Sequence, residues 1–435
     1  MPGETGATTS GQLRVHNLLR MLRAVHDGGA RHTRAQLTHD LDLARGTATV
    51  LVADLIGDRL VREEPAVQRA RGRPTHVLRP HPEGPIALAV DFREDSWTIA
   101  VAELGGRLAP RETRPHPAGP PEAVLSELAE AVRAHVAALG PRVIGVGIAM
   151  PGPVRDDRLL DIPHLGWRDV DADALLISTP LTAPPTGAPF TQAPSAEASR
   201  TAPSDRPHAG SRPPVLLDND ATLAGLAEAR RGALRGVAVG LHLHVDFDVG
   251  GALLLDGRPV KGAHGTSGEF GHMPLTGAAG VCACGATGCW SLDVGANALL
   301  RLTGSAVTPG AGRAEARQVI TRAMAGDAAS AGVLTTTAHA LGQGVSALVN
   351  AHDPHVVTLS GVGADLWAHA EETVRTAYLA GLMMFRRDRP PELVPSELGI
   401  DAPLIGAAEL AFDAFLTPEG LRAWQRIQSP KANQT

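Results

Sequence analysis

The placement of cysteines constrains this chain more than any other feature. Cys282, Cys284 and Cys289 are its only three, and they fall within eight positions, ten residues after His272. Three thiolates and one imidazole complete a tetrahedral zinc set, of the closed kind that props up a loop rather than performs hydrolysis. Gly285 and Gly288 suit the tight turn that brings Cys284 and Cys289 to one ion. A disulfide is the poorer reading, because the count is odd and Cys-x-Cys neighbours bridge badly. Buried thiols beside an unrelated histidine are the bland alternative. We therefore expect structural Zn2+ on His272, Cys282, Cys284 and Cys289.

At 435 residues there is room for two or three domains and a sizeable core. Aromatic residues make up only 3 %, so that core has to rest on Ala, Val and Leu. No apolar run has the length of a membrane span, and the polar start lacks a signal peptide's hydrophobic segment. With clustered, reduced cysteines, this leads us to expect a cytoplasmic protein without a membrane partner. The net charge of −6 is unevenly spread: from Ser10 to Pro80 twelve arginines face seven acids, giving +5 and leaving −11 elsewhere. A basic head on an acidic body suits a protein of which one part meets a polyanion. An Arg-rich solvated face would give the same count, so motifs have to decide.

Leu13, Leu18, Leu19, Met21, Leu22 and Val25 recur at helical spacing, and Asp27-Gly28-Gly29 ends that helix. Thr33 is placed to cap a second helix, and a third is predicted over 45–57. Two short strands, 60–63 and 75–78, then flank a polar tip. Three helices and a hairpin make a winged helix-turn-helix over 10–80, whose third helix enters the major groove. Arg45, Thr47 and Thr49 lie on its first turn, and Arg45 suits a bidentate guanine contact. Arg71 and Arg73 form a compact basic turn that reads equally well as a minor-groove contact or a linker. The partner would be a double-stranded DNA operator, although a helical protein-interaction module fits the same elements. Heads of this kind act in pairs, so a homodimer or homotetramer is expected.

After Pro85 the pattern becomes α/β: a hairpin at 86–91 and 97–102, a helix over 122–139 and a strand over 143–149. Residues 178–213 are mainly Pro, Ala, Ser and Thr and read as a disordered insertion. Beyond Gly295 the chain is mostly helical, with a last helix at 402–415 and a frayed tail from Gln425.

The runs GEFGHMPL and CACGATGCW, at 268–275 and 282–290, resemble the signature of the ROK family (repressors, open reading frames and sugar kinases). The similarity extends from about residue 12 to about 418. It implies an α/β actin-like (ribonuclease-H-like) two-lobed sugar-kinase fold behind the winged helix-turn-helix. The first lobe would occupy 85–218 and the second 219–418, its last helix returning to the first lobe. Asp218-Asn219-Asp220-Ala221 resembles the family's N-D-A motif, in which the aspartate removes a proton from the sugar hydroxyl. Asn219, Asp220, Glu269 and His272 match positions that hold a sugar effector, and His272 also matches the zinc ligand. Where the family follows its last cysteine with an apolar residue and a glutamate, this chain has Trp290 and Ser291, one sugar-binding carboxylate fewer. Val50 stands where the family's third helix has a basic residue.

Kinases of the family place D-x-G-x-T on the first hairpin and T-G-x-G on the second, where glycine N–H groups approach the phosphates. Here the first reads Asp91-Phe92-Arg93-Glu94-Asp95 and the second Asp246-Phe247-Asp248-Val249-Gly250. Like charges ~4 Å apart repel by roughly 4 kcal/mol at an effective dielectric of 20, and Arg93 offsets only part of that. The expectation is a sugar-responsive repressor with no catalytic activity. An ATP-dependent sugar kinase and a ligand-independent DNA-binding regulator are the alternatives.

Overall fold

The computed structural model describes residues 10–66, 76–177, 212–275, 280–307 and 312–428. Arg71, Arg73 and residues 178–211 of the expected insertion lie outside them. The head consists of α1 (Ser10–Asp27), α2 (Arg34–Asp40) and α3 (Arg45–Gly57), followed by β1 (Val61–Pro65) and β2 (His76–Pro80), which pair antiparallel. Thr33 caps α2 in a reciprocal box with Gln36. This is the element order of a winged helix-turn-helix.

The first lobe contains β3 (Ile86–Phe92), β4 (Ser96–Glu103), β5 (Leu108–Pro115), α4 (Pro121–Leu139) and β6 (Val143–Met150). It continues through β7 (Val154–Arg155), β8 (Leu159–Ile162), β9 (Trp167–Asp171), α5 (Ala172–Ile177) and β10 (Val215–Asn219). Its main sheet runs β10-β6-β3-β4-β5, while β7, β8 and β9 form a small antiparallel sheet. The strand β5 had no apolar signature, because as an edge strand it is largely solvent-exposed. Val124, Leu125, Leu128 and Val132 make α4 amphipathic and pack on the sheet's Ile86, Leu88 and Val90.

The second lobe begins with α6 (Asp220–Arg231), β11 (Val239–Val245), β12 (Val249–Leu255) and β13 (Arg258–Pro259). After the cysteine loop come α7 (Ala296–Leu302), α8 (Arg313–Met324), α9 (Ala328–His352), β14 (Val356–Gly361), α10 (Val362–Gly381) and β15 (Glu392–Pro395). The sheet order is β13-β12-β11-β14-β15. Two actin-like sheets thus face each other across a cleft. The helix α11 (Ala402–Phe415) lies directly on β6 and α6. A Cβ on Gly147 would come within 1.9 Å of the Ala407 carbonyl, and one on Gly406 within 2.0 Å of the Leu223 carbonyl. Only glycine permits that approach.

The tail expected to fray from Gln425 is corrected for residues 425–428, while 429–435 lie outside the described residues. A further helix, α12 (Pro418–Gln428), buries Leu421 and Trp424 in one core with the head's Leu18, Leu22 and Leu55. The Trp424 indole N–H donates to the Asp58 carbonyl at 2.7 Å, and the Gln425 amide to the Asp58 carboxylate at 2.7 Å. Thr417, accepting from the Gly420 N–H, and Pro418 start the helix; both are local signals that the sequence contained.

Two histidines are buried in the second sheet. His242 bonds Thr358 through Nδ1 at 2.8 Å, His244 bonds Ser360 at 2.8 Å, and burial lowers their pKa values to about 3 and about 4. The unfolded chain takes up protons below about pH 6.5, whereas these imidazoles refuse them until far lower pH, so their share of stability falls as pH falls. Glu94, raised to about 7 by burial and then by Asp246, acts in the opposite sense. The informative quantity is therefore a difference between proteins. Relative to the wild type, His242→Gln should gain about 2 kcal/mol in urea unfolding between about pH 7.5 and pH 5. An unchanged difference would mean that His242 is protonated when folded.

Candidate functional site

Four elements converge on the cleft: the β3–β4 turn, the end of β10, the β11–β12 hairpin and the loop carrying Glu269 and His272. Asn219 caps α6, its Oδ1 accepting from the Thr222 N–H at 3.0 Å and its Nδ2 donating to Gly152 O and to the Asp220 carboxylate. Asp220 opens the helix and accepts from the Ala221 N–H at 2.7 Å. Burial, then the charges of Glu94 and Asp91, raise its pKa well above the usual carboxylate range. Burial likewise raises Glu269 to about 7, and His272 Nε2 lies 3.7 Å from its carboxylate. Asn219, Asp220, Glu269 and His272 thus all line one cleft. Ser291 does not reach it: the side chain is buried, and its Oγ accepts from the Val249 N–H at 3.1 Å.

The acids on the two hairpins have a partner that sequence reading missed. Arg313, at the start of α8, makes a two-pronged pair with Asp246 at 2.8 and 2.6 Å and reaches Asp95 of the other lobe at 3.2 Å. Glu94 is 3.8 Å away, and the guanidinium stacks on Phe247 at 4.7 Å. Although burial works against it, Arg313 holds Asp246 below the usual carboxylate range. Arg93 is engaged separately, with Asp91 at 2.6 Å. The acids thus have a counter-ion besides Arg93, which sequence reading had named as offsetting only part of their charge. A second bridge between the lobes joins His164 to Asp248 at 2.5 Å.

The ligand atoms of His272, Cys282, Cys284 and Cys289 lie within 4.8 Å of one another. Burial raises the Cys282 thiol and pushes Cys289 up to about 12, so thiols this close do not ionise together without a cation. The donor set fits a metal ion that prefers sulfur and nitrogen. The Trp290 indole, bonded to Ala340 O at 2.9 Å, anchors the loop to α9.

In the head, Ala48, Leu51, Val52 and Leu55 bury one face of α3, leaving Arg45, Thr47, Thr49 and Val50 exposed. The Thr49 hydroxyl donates back to Arg45 O at 2.9 Å. No side chain caps α3, so its first N–H groups are open to a phosphate. Several head arginines are tied to acids, Arg14 to Asp54 and Arg62 to Glu64 among them, whereas Arg45 has no ion-pair partner among the described residues.

Fold and site together define a two-lobed actin-like protein with a cleft between the lobes. Residues 209–414 match the ROK family, and the chain contains a ROK family domain. It is 21 % identical over 388 residues to the xylose repressor of Bacillus subtilis, covering 88 % of this chain and 92 % of that one. A solved ROK family transcriptional regulator, described as a homolog of the E. coli MLC protein, superposes with a TM-score of 0.66 at 20 % identity, over 96 % of this chain and 98 % of its own. A ROK family glucokinase from Streptomyces griseus, solved with glucose and AMPPNP, gives a TM-score of 0.58 at 22 % identity, over 75 % of this chain and 99 % of its own.

Proposed function

We propose that this chain is a DNA-binding transcriptional regulator, a repressor that answers to a sugar or sugar derivative and whose kinase-like body has lost its ATP site. Arg313 carries the reading. Where a kinase keeps open backbone for a triphosphate, an arginine here ties Asp246 to Asp95 across the lobes. A nucleotide would have to break that tie and then sit among Glu94, Asp95 and Asp246. The regulator's structure spans nearly the whole chain and the glucokinase only three quarters, consistent with 10–80 being a regulator's head ahead of lobes at 85–218 and 219–418.

The cleft has a free volume of about 80 Å³, smaller than the roughly 150 Å³ of a cavity that admits benzene. A pyranose therefore has to part lobes that His164–Asp248 and Arg313–Asp95 hold together. Parting them is how the ligand would reach the head, through a differential affinity of about 1–3 kcal/mol for the two lobe arrangements. The cell compartment is the cytoplasm, and the heads work as a dimer or tetramer.

Selection of bound genomic fragments, followed by gel shifts with and without a sugar panel, tests the reading. Specific fragments should emerge, and Arg45→Ala should weaken binding to them by about 1–3 kcal/mol. Failure to enrich any fragment would refute DNA recognition. Asp220, present at the catalytic position, favours a kinase instead; phosphoryl transfer from ATP to a sugar, abolished by Asp220→Asn, would establish that.

The ion on the cysteine loop is zinc in this reading, structural, and it steadies the segment bearing Glu269. Cys284→Ser should lose the metal and loosen the loop. Elemental analysis that still finds one equivalent in the variant removes Cys284 from the ligand set.

A further inference from the structure

Between the head and the second lobe runs a groove of about 550 Å³, at the opposite end of α6 from Asp220 and the cleft. Arg23 and Asp27 of α1 form its head wall; Arg230 of α6, Arg235 and Arg258 form its body wall. Arg23 and Arg230 are shared between two carboxylates. Arg23 lies 2.5 Å from Asp413 and 4.0 Å from Asp27, and Arg230 lies 3.4 Å from Asp413 and 3.6 Å from Asp27. The guanidinium groups of Arg235 and Arg258 are exposed and have no ion-pair partner among the described residues. Asp256 also lines the groove. Four arginines against Asp27, Asp256 and Asp413 leave +1, in a chain whose net charge is −6.

Two buried polar atoms in this groove have no hydrogen-bond partner: Asp27 Oδ1, an acceptor, and Arg230 Nε, a donor. Buried groups left in that condition are rare and point to a missing partner. A hydroxyl group serves both, donating to the carboxylate and accepting from the guanidinium N–H. The unpaired Arg235 and Arg258 call instead for a compact anion of the kind guanidinium forks hold well. The volume exceeds what a bare ion needs.

We propose that this groove binds a small phosphorylated polyol, a sugar phosphate, with its phosphate on Arg235 and Arg258 and its hydroxyls on Asp27 and Arg230. Such a ligand touches the head and the second lobe at once, so it would bias the angle between them. The site is separate from the cleft, whose wall of Asp91, Glu94, Asp220, Asp246, Asp248 and Glu269 disfavours a phosphate. The inference does not depend on DNA recognition, because binding is read directly.

Calorimetry of the full chain with a panel of hexose and pentose monophosphates tests it, with the matching free sugars, inorganic phosphate and citrate as controls. At least one monophosphate should bind at least about tenfold more tightly than inorganic phosphate or citrate. The Arg235→Ala/Arg258→Ala double variant should weaken it by at least about tenfold, as expected for lost charge-assisted bonds. The variant's melting temperature without ligand should match the wild type, since both side chains are exposed. Three calorimetric results would overturn the proposal. One is silence across the whole monophosphate panel, and another is equal binding of phosphate or citrate. The third is binding untouched by the double variant but lost in Asp220→Ala, which would place the ligand in the cleft. Weakened gel-shift affinity in the double variant with no small-molecule binding would assign the groove to the DNA backbone and equally end the proposal.

Discussion

Arg313→Ala lowers the free energy of unfolding by about 3 kcal/mol near neutral pH, and acidification returns much of the loss. Removing one partner from a buried ion pair typically costs about 3–5 kcal/mol, because the other charge stays buried without compensation. The lower figure applies here, since Asp95 is a third exposed and Asp246 is partly so. Three carboxylates, Asp246, Asp95 and Glu94, lose their common cation at once. In the wild type Arg313 holds Asp246 low against burial; without the arginine, burial decides and its folded pKa rises. A carboxyl whose folded pKa exceeds its unfolded one takes up its proton preferentially in the folded state. The destabilisation is then largest at high pH and relieved as pH falls through the raised value. Arg313→Lys should recover part of the loss, because it keeps the charge but not the two-pronged geometry. Urea unfolding of wild type and both variants between about pH 5 and pH 8 reads all of this. A loss that is the same at every pH would show that Arg313 acts by packing on Phe247 rather than as a counter-ion.

Arg313 also marks the limit of what the sequence disclosed. Features set by short separations were legible: the thiols and His272 meet because eighteen residues contain them all, and the first turn of α3 is exposed because its apolar residues point inward. The substituted hairpins were legible as well, since Arg93 and Asp248 in place of glycine are visible without coordinates. Their counter-ion was not. Arg313 is 67 residues from Asp246 and 218 from Asp95, and no local periodicity encodes such a meeting. Trp424 and Asp58, 366 residues apart, make the same point. The start of α12 was written locally in Thr417 and Pro418, but its docking on the head was not. Charge counting gave the head's balance of +5 but not which arginines are tied to acids: Arg14 pairs with Asp54 and Arg62 with Glu64, whereas Arg45 has no ion-pair partner among the described residues.

The joint between head and body depends on one buried carboxylate. Glu409 of α11 is fully buried; its Oε2 meets His26 Nε2 at 3.0 Å and its Oε1 accepts from Arg231 at 2.6 and 2.8 Å. His26 of α1 is buried too, and its Nδ1 accepts from the Gly105 N–H at 3.0 Å, so Nε2 carries the proton given to Glu409. Arg231 completes the joint by donating to the His26 carbonyl at 2.8 Å. Helices α1, α6 and α11 and the β4–β5 turn therefore meet at a single carboxylate. Burial alone would raise Glu409, but His26 and Arg231 draw it down to about 2. A carboxylate with a lowered folded pKa contributes its stability above its unfolded value and loses it only as pH falls towards 2. Near neutrality the contribution is whole, and Glu409→Gln should cost about 3 kcal/mol. A second variant separates charge from shape. Glu409→Leu with Arg231→Met removes both charges, and its cost should be well below that of Glu409→Gln, because no ion is left stranded. If the joint also transmits the cleft's state, the effector-dependent part of operator affinity, about 1–3 kcal/mol, should collapse in Glu409→Gln while effector-free binding survives. A Glu409→Gln protein as stable as the wild type, still released by effector to the full extent, would show that head and body are held elsewhere, as by the Arg23–Asp413 and Arg230–Asp27 pairs and the contact of α12.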